Sequence, residues 1–427
     1  MKGLITKTTR DKRFWAVLYV LMALLAVVSI YEGIANGIVW SQDFQYDATC
    51  ALIHGYDPYD MSMSFDESRL PDIANLRGFY DYYDGLGTPQ RMEANQFPSL
   101  LYILTPYALI PYNLARVLWV VTNILCTAVI IWLLKKTFMA QVDERLYPVY
   151  ILLMLAGTPW RNQMGVGQHT LFAVAFFLLA VYVSNLAGYT DRTVGSGRAD
   201  KTETEDNGND KAVKAGRDEF AVSIASGLLL SLSYLKYTVT APLALYFIYK
   251  KKYKEFAISL VPHAVLTGVA AAALHESYID MLIKPFKAAS WLAGEGSIDI
   301  GAILGGSPVA TVITVIVMLF ILSMAVILPE GNDELFISLA VLLSLVMTYH
   351  RTYDFFIMII VFGYFATGRM KVAEIIYFIT TLAFFFVLRL FHEDAISLTV
   401  SGALYYACVI SFVVVTVDKC RAGGVDK

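Results

Sequence analysis

The sequence predicts an all-α, polytopic helical membrane protein of about twelve transmembrane helices, with juxtamembrane helices on its outer face. Composition is the first observation behind this. Of 427 residues, 57% are hydrophobic and only 16% charged, where a water-soluble domain carries about 25% charged residues and roughly 45–50% apolar ones. The surplus apolar surface needs lipid as its solvent. The second observation is that the apolar residues come in runs long enough to cross a bilayer, and the third is that lysine and arginine gather at alternate ends of those runs.

A crossing takes roughly 20 mostly apolar residues, because the hydrocarbon core is about 30 Å thick and a helix rises 1.5 Å per residue. Runs that meet or approach this lie at 14–38, 113–134, 146–160, 168–187, 220–235, 237–249, 256–274, 308–328, 335–349, 353–367, 372–390 and 395–417. Several are short, as expected for tilted or broken helices that line a cavity. The first follows Lys2, Lys7, Arg10, Lys12 and Arg13 and exceeds the roughly 7–15 apolar residues of a cleaved signal, so it reads as a retained span. With the N-terminus inside, the inner segments hold most of the basic residues, among them Lys135, Lys136 and the Lys250, Lys251, Lys252 and Lys254 group. Cytoplasmic loops carry that excess, so both termini are expected in the cytoplasm of a cell with this chain in its plasma membrane.

The stretch 97–112, FPSLLYILTPYALIPY, is apolar yet does not fit as a further span, since one more crossing would put Lys135 and Lys136 outside. Pro98, Pro106 and Pro111 also break a continuous helix. It is expected as juxtamembrane helices of the outer interface, where Tyr102, Tyr107 and Tyr112 suit the aromatic belt. It closes a first extracytoplasmic loop, 41–112, and a second large one spans 275–307. Residues 188–217 turn abruptly to Gly, Asp, Thr, Lys and Glu and read as a disordered cytoplasmic loop, unable to bury enough surface to offset ordering entropy. All of this forms a single transmembrane domain, 1–427.

A net charge of −3 argues against a nucleic-acid partner. Cys50, Cys126, Cys408 and Cys420 show no metal or redox spacing, so no metal site is expected. The outer loops are acidic and aromatic, with Asp43, Asp47, Asp57, Asp60 and Glu93 in the first and Glu276, Lys284, Lys287, Trp291, Glu295 and Asp299 in the second. Arg161, Gln168, His169, Lys236, His350, Arg351 and Asp354 fall at the outer ends of other runs. Ionisable groups set against apolar runs are costly and usually face a cavity or a partner.

These residue types suit group transfer at the outer face. Asp43, just past the first span in WSQDFQYD, is placed to take a proton from an attacking hydroxyl. Asp47 is the rival base, sharing its face if the helix continues. A leaving phosphate needs fixed cations, for which Lys236, Arg351, His350 and Arg161 are candidates. No Gly-rich loop is present to cradle a nucleotide, which disfavours a sugar nucleotide as donor.

Five stretches carry a resemblance: DFQYDATCALIHGYDPYD from Asp43, FPSLLYILTPYALIPYNLARVLW from Phe97, GQHTLFAVAFFLLA from Gly167, LSYLKYTVTAPLALYFIYKKKYK from Leu232 and YHRTYDFFIMII from Tyr349. In that order the chain resembles the GT-C membrane glycosyltransferases, and most closely glycosyltransferase family 87, the polyprenyl-phosphate-mannose-dependent type. The resemblance implies a GT-C fold, a polyprenyl-phosphate sugar donor, a glycolipid or glycan acceptor, and inversion with neither cofactor nor required metal. It carries the catalytic base to Asp43 and donor contacts to Gln168, Lys236, His350 and Asp354, while His169 stands where the family pattern has Asn. The rival is a secondary transporter or lipid-linked oligosaccharide flippase, which would place charged sites near mid-membrane on two related halves.

Overall fold

The computed structural model describes residues 12–64, 71–195, 206–292, 299–300, 304, 308–347, 350–365, 372–387 and 395–425. Among them every regular element is helical. The chain opens on α1 (Lys12–Trp40) and continues through five short helices, α2 (Tyr46–Ile53), α3 (Pro58–Ser64), α4 (Ala74–Gly85), α5 (Pro98–Ile103) and α6 (Thr105–Ala108). The expected proline-rich stretch is therefore split, with Pro98 and Pro106 in the first turns of α5 and α6, where a missing N–H costs no helical bond. Long legs follow: α7 (Tyr112–Lys136), α8 (Leu146–Ala156) running into α9 (Thr158–Val166), α10 (Thr170–Gly195), α11 (Asp206–Ser233), α12 (Tyr237–Tyr249) and α13 (Tyr253–Ala273). After α14 (Tyr278–Leu292) come α15 (Pro308–Ile327), α16 (Asp333–Met347), a 3-10 helix Thr352–Val361 continued by α17 (Phe362–Phe365), α18 (Val372–Leu382) ending in a π turn Ala383–Val387, and α19 (Ala395–Val425).

Six of the described helices are long and apolar enough to cross a membrane, or seven if the pair Thr158–Val166 and Thr170–Leu186, bent by 107°, counts as one. The difference from twelve expected runs lies in the short legs, such as α8, α12 and the Thr352–Phe365 stretch, and in Glu219–Tyr249, which counts once by length. Its direction tells more. Lys236 Nζ donates to Gln168 Oε1 at the start of α10, while Lys252 Nζ donates to the Ser184 carbonyl farther down the same helix. The chain thus turns back at Tyr234–Lys236, and α12 runs alongside α10. Ser223 to Glu255 and Ser231 to His263 then pair α11 with α13 in parallel. Of the cytoplasmic loop expected at 188–217, residues 196–205 lie outside the described residues, and the flanks continue α10 and α11. The residues 293–298, 301–303 and 305–307 of the second loop are likewise outside them.

Burial follows the apolar pattern. Every residue from Leu335 to Met347 in α16 is buried, as are all of Thr352–Val361, as expected for helices apolar all round. α1 instead shows an outward stripe of Val20, Leu24, Val27 and Tyr31, each more than half exposed, a spacing that keeps one face toward lipid. Its other face lies against α8 and α9: Tyr19 donates to the Arg145 carbonyl and Arg161 pairs with Glu32. At Gly37 an added Cβ would sit 2.7 Å from the Met164 carbonyl oxygen, so only glycine permits this approach. The parallel contact brings the end of α1 and the end of α9 to the same height.

α9 stops at Gly167, whose φ of 74° lies in the left-handed region and which an added Cβ would bring to 2.9 Å from Ser41 Cα. Gly167→Ala is expected to lower thermal stability, since the left-handed conformation alone costs roughly 1–2 kcal/mol for a residue with a Cβ. Unfolding in detergent checks this, and an unchanged melting temperature would mean the turn relaxes freely.

Candidate active site

Beyond α1 the chain makes a 3-10 turn, Gln42–Phe44. Phe44 is fully buried and stacks on Trp119 at 5.4 Å and Tyr112 at 6.2 Å. Those rings pin the turn and so fix its neighbour Asp43. Trp119 is held in turn by its Nε1, which donates to the Gly167 carbonyl at 2.6 Å. One aromatic stack therefore locks the end of α1 to the end of α9.

Asp43 and Gln168 meet across this junction. Gln168 Nε2 donates to Asp43 Oδ2 at 2.9 Å and to the Tyr353 hydroxyl at 3.1 Å, and its Oε1 accepts from Lys236 Nζ at 3.1 Å. Lys236 lies 3.6 Å from Asp354 Oδ2. That carboxylate also accepts from His350 Nδ1 at 2.8 Å and, on its other oxygen, from Thr170 Oγ1 at 2.5 Å. Asp354 is fully buried and satisfied on both oxygens, which is how a buried carboxylate is normally kept. His350 is thereby oriented, because the partner of Nδ1 sets how the ring presents Nε2.

Five of the residues singled out from sequence, Asp43, Gln168, Lys236, His350 and Asp354, thus form one continuous chain of polar contacts. Arg351 is exposed and close enough to act on Asp43 electrostatically. Burial raises the Asp43 pKa above the usual carboxylate range, while the Gln168 hydrogen bond, Lys236 and Arg351 pull it back.

The other candidates stand outside this chain of hydrogen bonds. Gln45, with a φ of 61°, breaks the chain between Asp43 and Asp47, so the helix does not continue and the two carboxylates share no helical face. Asp47 sits in the first turn of α2, where Oδ1 accepts from the Ala48 N–H at 2.8 Å and Oδ2 from the Tyr80 hydroxyl at 3.2 Å. Arg161 is bound to Glu32 of α1 at 2.9 Å. His169 is buried beside Trp119, with ring centroids 5.6 Å apart. Tyr353 and Thr170 enter the site without being singled out in the sequence, while Glu93, one of the outer-loop acids, lies within electrostatic reach of Asp43. A hydroxyl at the edge of an apolar run looks ordinary in sequence; the single useful signal was that Thr170 follows Gln168-His169 directly.

Asp57, Asp60 and Glu276 are the one group of carboxylates, among the described residues, close enough to share an ion. Lys284 of α14 fills its centre, at 2.5, 3.1 and 3.0 Å. Burial opposes that charge, but the three carboxylates together hold the lysine pKa above its ordinary value. α14 is clamped in this way to α3.

Burial pushes the Asp47 pKa from 3.8 up to about 7. The fold thus favours its protonated form, and the stability this contributes is present below 3.8 and lost as pH rises through about 7. Asp47→Asn, which mimics the neutral acid, is expected to raise the melting temperature at pH 8 by on the order of 1–3 °C and leave it unchanged at pH 3.5. Equal shifts at both pH values would contradict this.

A family model described as Glycosyltransferase family 87 matches residues 98–349. No curated protein and no solved structure matches the chain. Asp43 and Asp47 precede the matched segment and His350, Arg351 and Asp354 directly follow it, yet Asp43 and Asp354 bond to Gln168 and Thr170 inside it. Since the match spans more than half of the chain and includes the helices that bring Gln168 and Lys236 to this junction, the chain belongs to glycosyltransferase family 87 and is a membrane glycosyltransferase.

Proposed function

We propose that the protein moves a sugar, mannose first, from a polyprenyl-phosphate donor to an extracytoplasmic glycolipid or glycan, inverting the anomeric carbon with Asp43 as general base. The observation that carries this reading is the polar chain from Asp43 through Gln168 to Lys236, Asp354 and His350. It joins a carboxylate to a cation and a histidine at one end of an apolar bundle. Asp43 takes the acceptor hydroxyl proton as that oxygen attacks the anomeric carbon. The bond from that carbon to the phosphate oxygen breaks on the opposite side, and the lipid phosphate leaves. Lys236, Arg351 and His350 balance its charge, the buried Lys236 and His350 most strongly because they are shielded from water.

The same end of the bundle is the extracytoplasmic one in this reading. Arg13, Lys135, Lys136, Lys250, Lys251 and Lys252 all lie at the other end, as the cytoplasmic side of a plasma-membrane protein requires. The alternating directions of α10, α11, α12 and α13 support counting the short legs as crossings, which gives twelve and puts both termini in the cytoplasm. Arg161, held by Glu32, is then a structural ion pair within the membrane, and His169 packs beneath the site. Neither cofactor nor metal enters the reaction.

The donor class is tested by offering purified protein labelled lipid-phosphate mannose and, separately, nucleotide-linked mannose. Transfer from the lipid donor alone is expected. Transfer from the nucleotide alone would overturn the reading.

A further inference from the structure

We propose that Gln168 is a positioning residue, which fixes the Asp43 carboxylate and the Lys236 ammonium through the two ends of its side-chain amide. The family resemblance implies a contact to the donor here. The hydrogen bonds leave little of the amide for that. Both N–H groups are taken, by Asp43 Oδ2 and the Tyr353 hydroxyl, and the oxygen already accepts from Lys236. An amide offers two donors and two acceptor lone pairs, so a single lone pair remains. The orientation of the amide is also dictated. Reversed, it would aim its oxygen at a carboxylate and its N–H groups at an ammonium.

The backbone serves the same end. Gly167, in its left-handed conformation, ends α9 against Ser41, and the Gln168 N–H bonds back to the Gln163 carbonyl at 3.3 Å. Gln168 therefore leaves a rigid turn at the height of Asp43, while Lys236 comes from the turn at which α11 reverses into α12. The amide bridges these two groups of opposite charge and so sets their spacing. A base and a phosphate-balancing cation must stay apart and aligned on either side of the reacting carbon, and misplacement by about 1 Å can cost 10²-fold in rate.

The inference rests on Asp43 acting as the base. The groups that face Asp43 are Gln168, Lys236, Arg351 and Asp354, Glu93 from the segment before α5, and the neutral Tyr83 hydroxyl of α4. Of these the Gln168 hydrogen bond and the two cations favour the ionised carboxylate, while Asp354 and Glu93 oppose it. Removing the amide therefore moves the acid limb of the rate profile to higher pH.

The test measures kcat, the donor KM and the pH profile of kcat/KM for wild type, Gln168→Leu and Gln168→Glu, and repeats Gln168→Leu in an Asp43→Asn background. A drop in kcat of at least about tenfold is expected for Gln168→Leu, with the donor KM within about threefold of wild type and the acid limb shifted upward. Gln168→Glu, which keeps size and the Lys236 contact but faces Asp43 with a like charge, should shift that limb further. In the Asp43→Asn background the leucine substitution should cost much less, since residues acting as a unit are not additive. A raised donor KM with kcat and the acid limb unchanged in both variants would overturn the proposal and return Gln168 to the donor. Full activity of Asp43→Asn alone would instead remove the base reading itself, a failure visible before Gln168 is touched.

Discussion

Asp43→Asn is expected to reduce sugar transfer by at least about 10²-fold, and by up to about 10⁴-fold, with no loss of fold or of donor binding. Asparagine has nearly the same shape and still offers an oxygen to Gln168, so the junction between α1 and α9 should survive. Phe44 on Trp119, and Trp119 on the Gly167 carbonyl, hold the turn independently of the carboxylate. What is lost is the group proposed to accept the proton. Wild-type activity should accordingly rise with pH through a value above the ordinary carboxylate range, because burial disfavours the ionised Asp43 and only the ionised form can take a proton. Kinetics and a melting curve on the same preparation check both halves. Full activity in this variant would move the base to Asp47 or remove the mechanism.

Lys236→Ala should show the second large effect, in donor affinity. The lysine comes from a turn between two apolar legs and is buried. In the proposed reaction this charge faces the donor phosphate, and its loss is expected to weaken donor binding by about ten- to a hundredfold, or roughly 1.4–2.8 kcal/mol. Asp354 retains His350 and Thr170 as partners, so it is not left as an isolated buried charge, and unfolding should change less than binding. Titration of the lipid-phosphate donor against the variant measures the effect. An unchanged affinity would take Lys236 out of the phosphate site.

The helical character, the order of the apolar runs and the residues at their ends were all legible in the sequence, because a helix in lipid must satisfy its own backbone and be greasy along its length. Lys236 stood out for a simple reason: a single lysine between apolar runs has to face something polar. Asp43 was legible as the first carboxylate past a span. The link between them was not. Gln168 and Lys236 are far apart in sequence, and only the reversal at Tyr234–Lys236 brings α12 down beside α10. Sequence also missed the break at Gln45, because a non-glycine residue in the left-handed region leaves no pattern of its own. The partner of Arg161 was equally hidden, since Glu32 sits inside the first apolar run and meets it only when α1 and α9 lie side by side. Short legs such as α12 are legible as apolar runs from their composition, although the 13 residues of α12 are too few to qualify by length alone.

The most direct test reconstitutes the purified protein with polyprenyl-phosphate-mannose labelled in the sugar and a membrane glycolipid extract, then follows which molecule carries the label. Label on a new glycolipid, with inverted anomeric configuration, is the expected result, and Asp43→Asn should leave it on the donor. Label that crosses the bilayer while still attached to its original lipid, with no new glycoside formed, would contradict transfer and establish transport in its place.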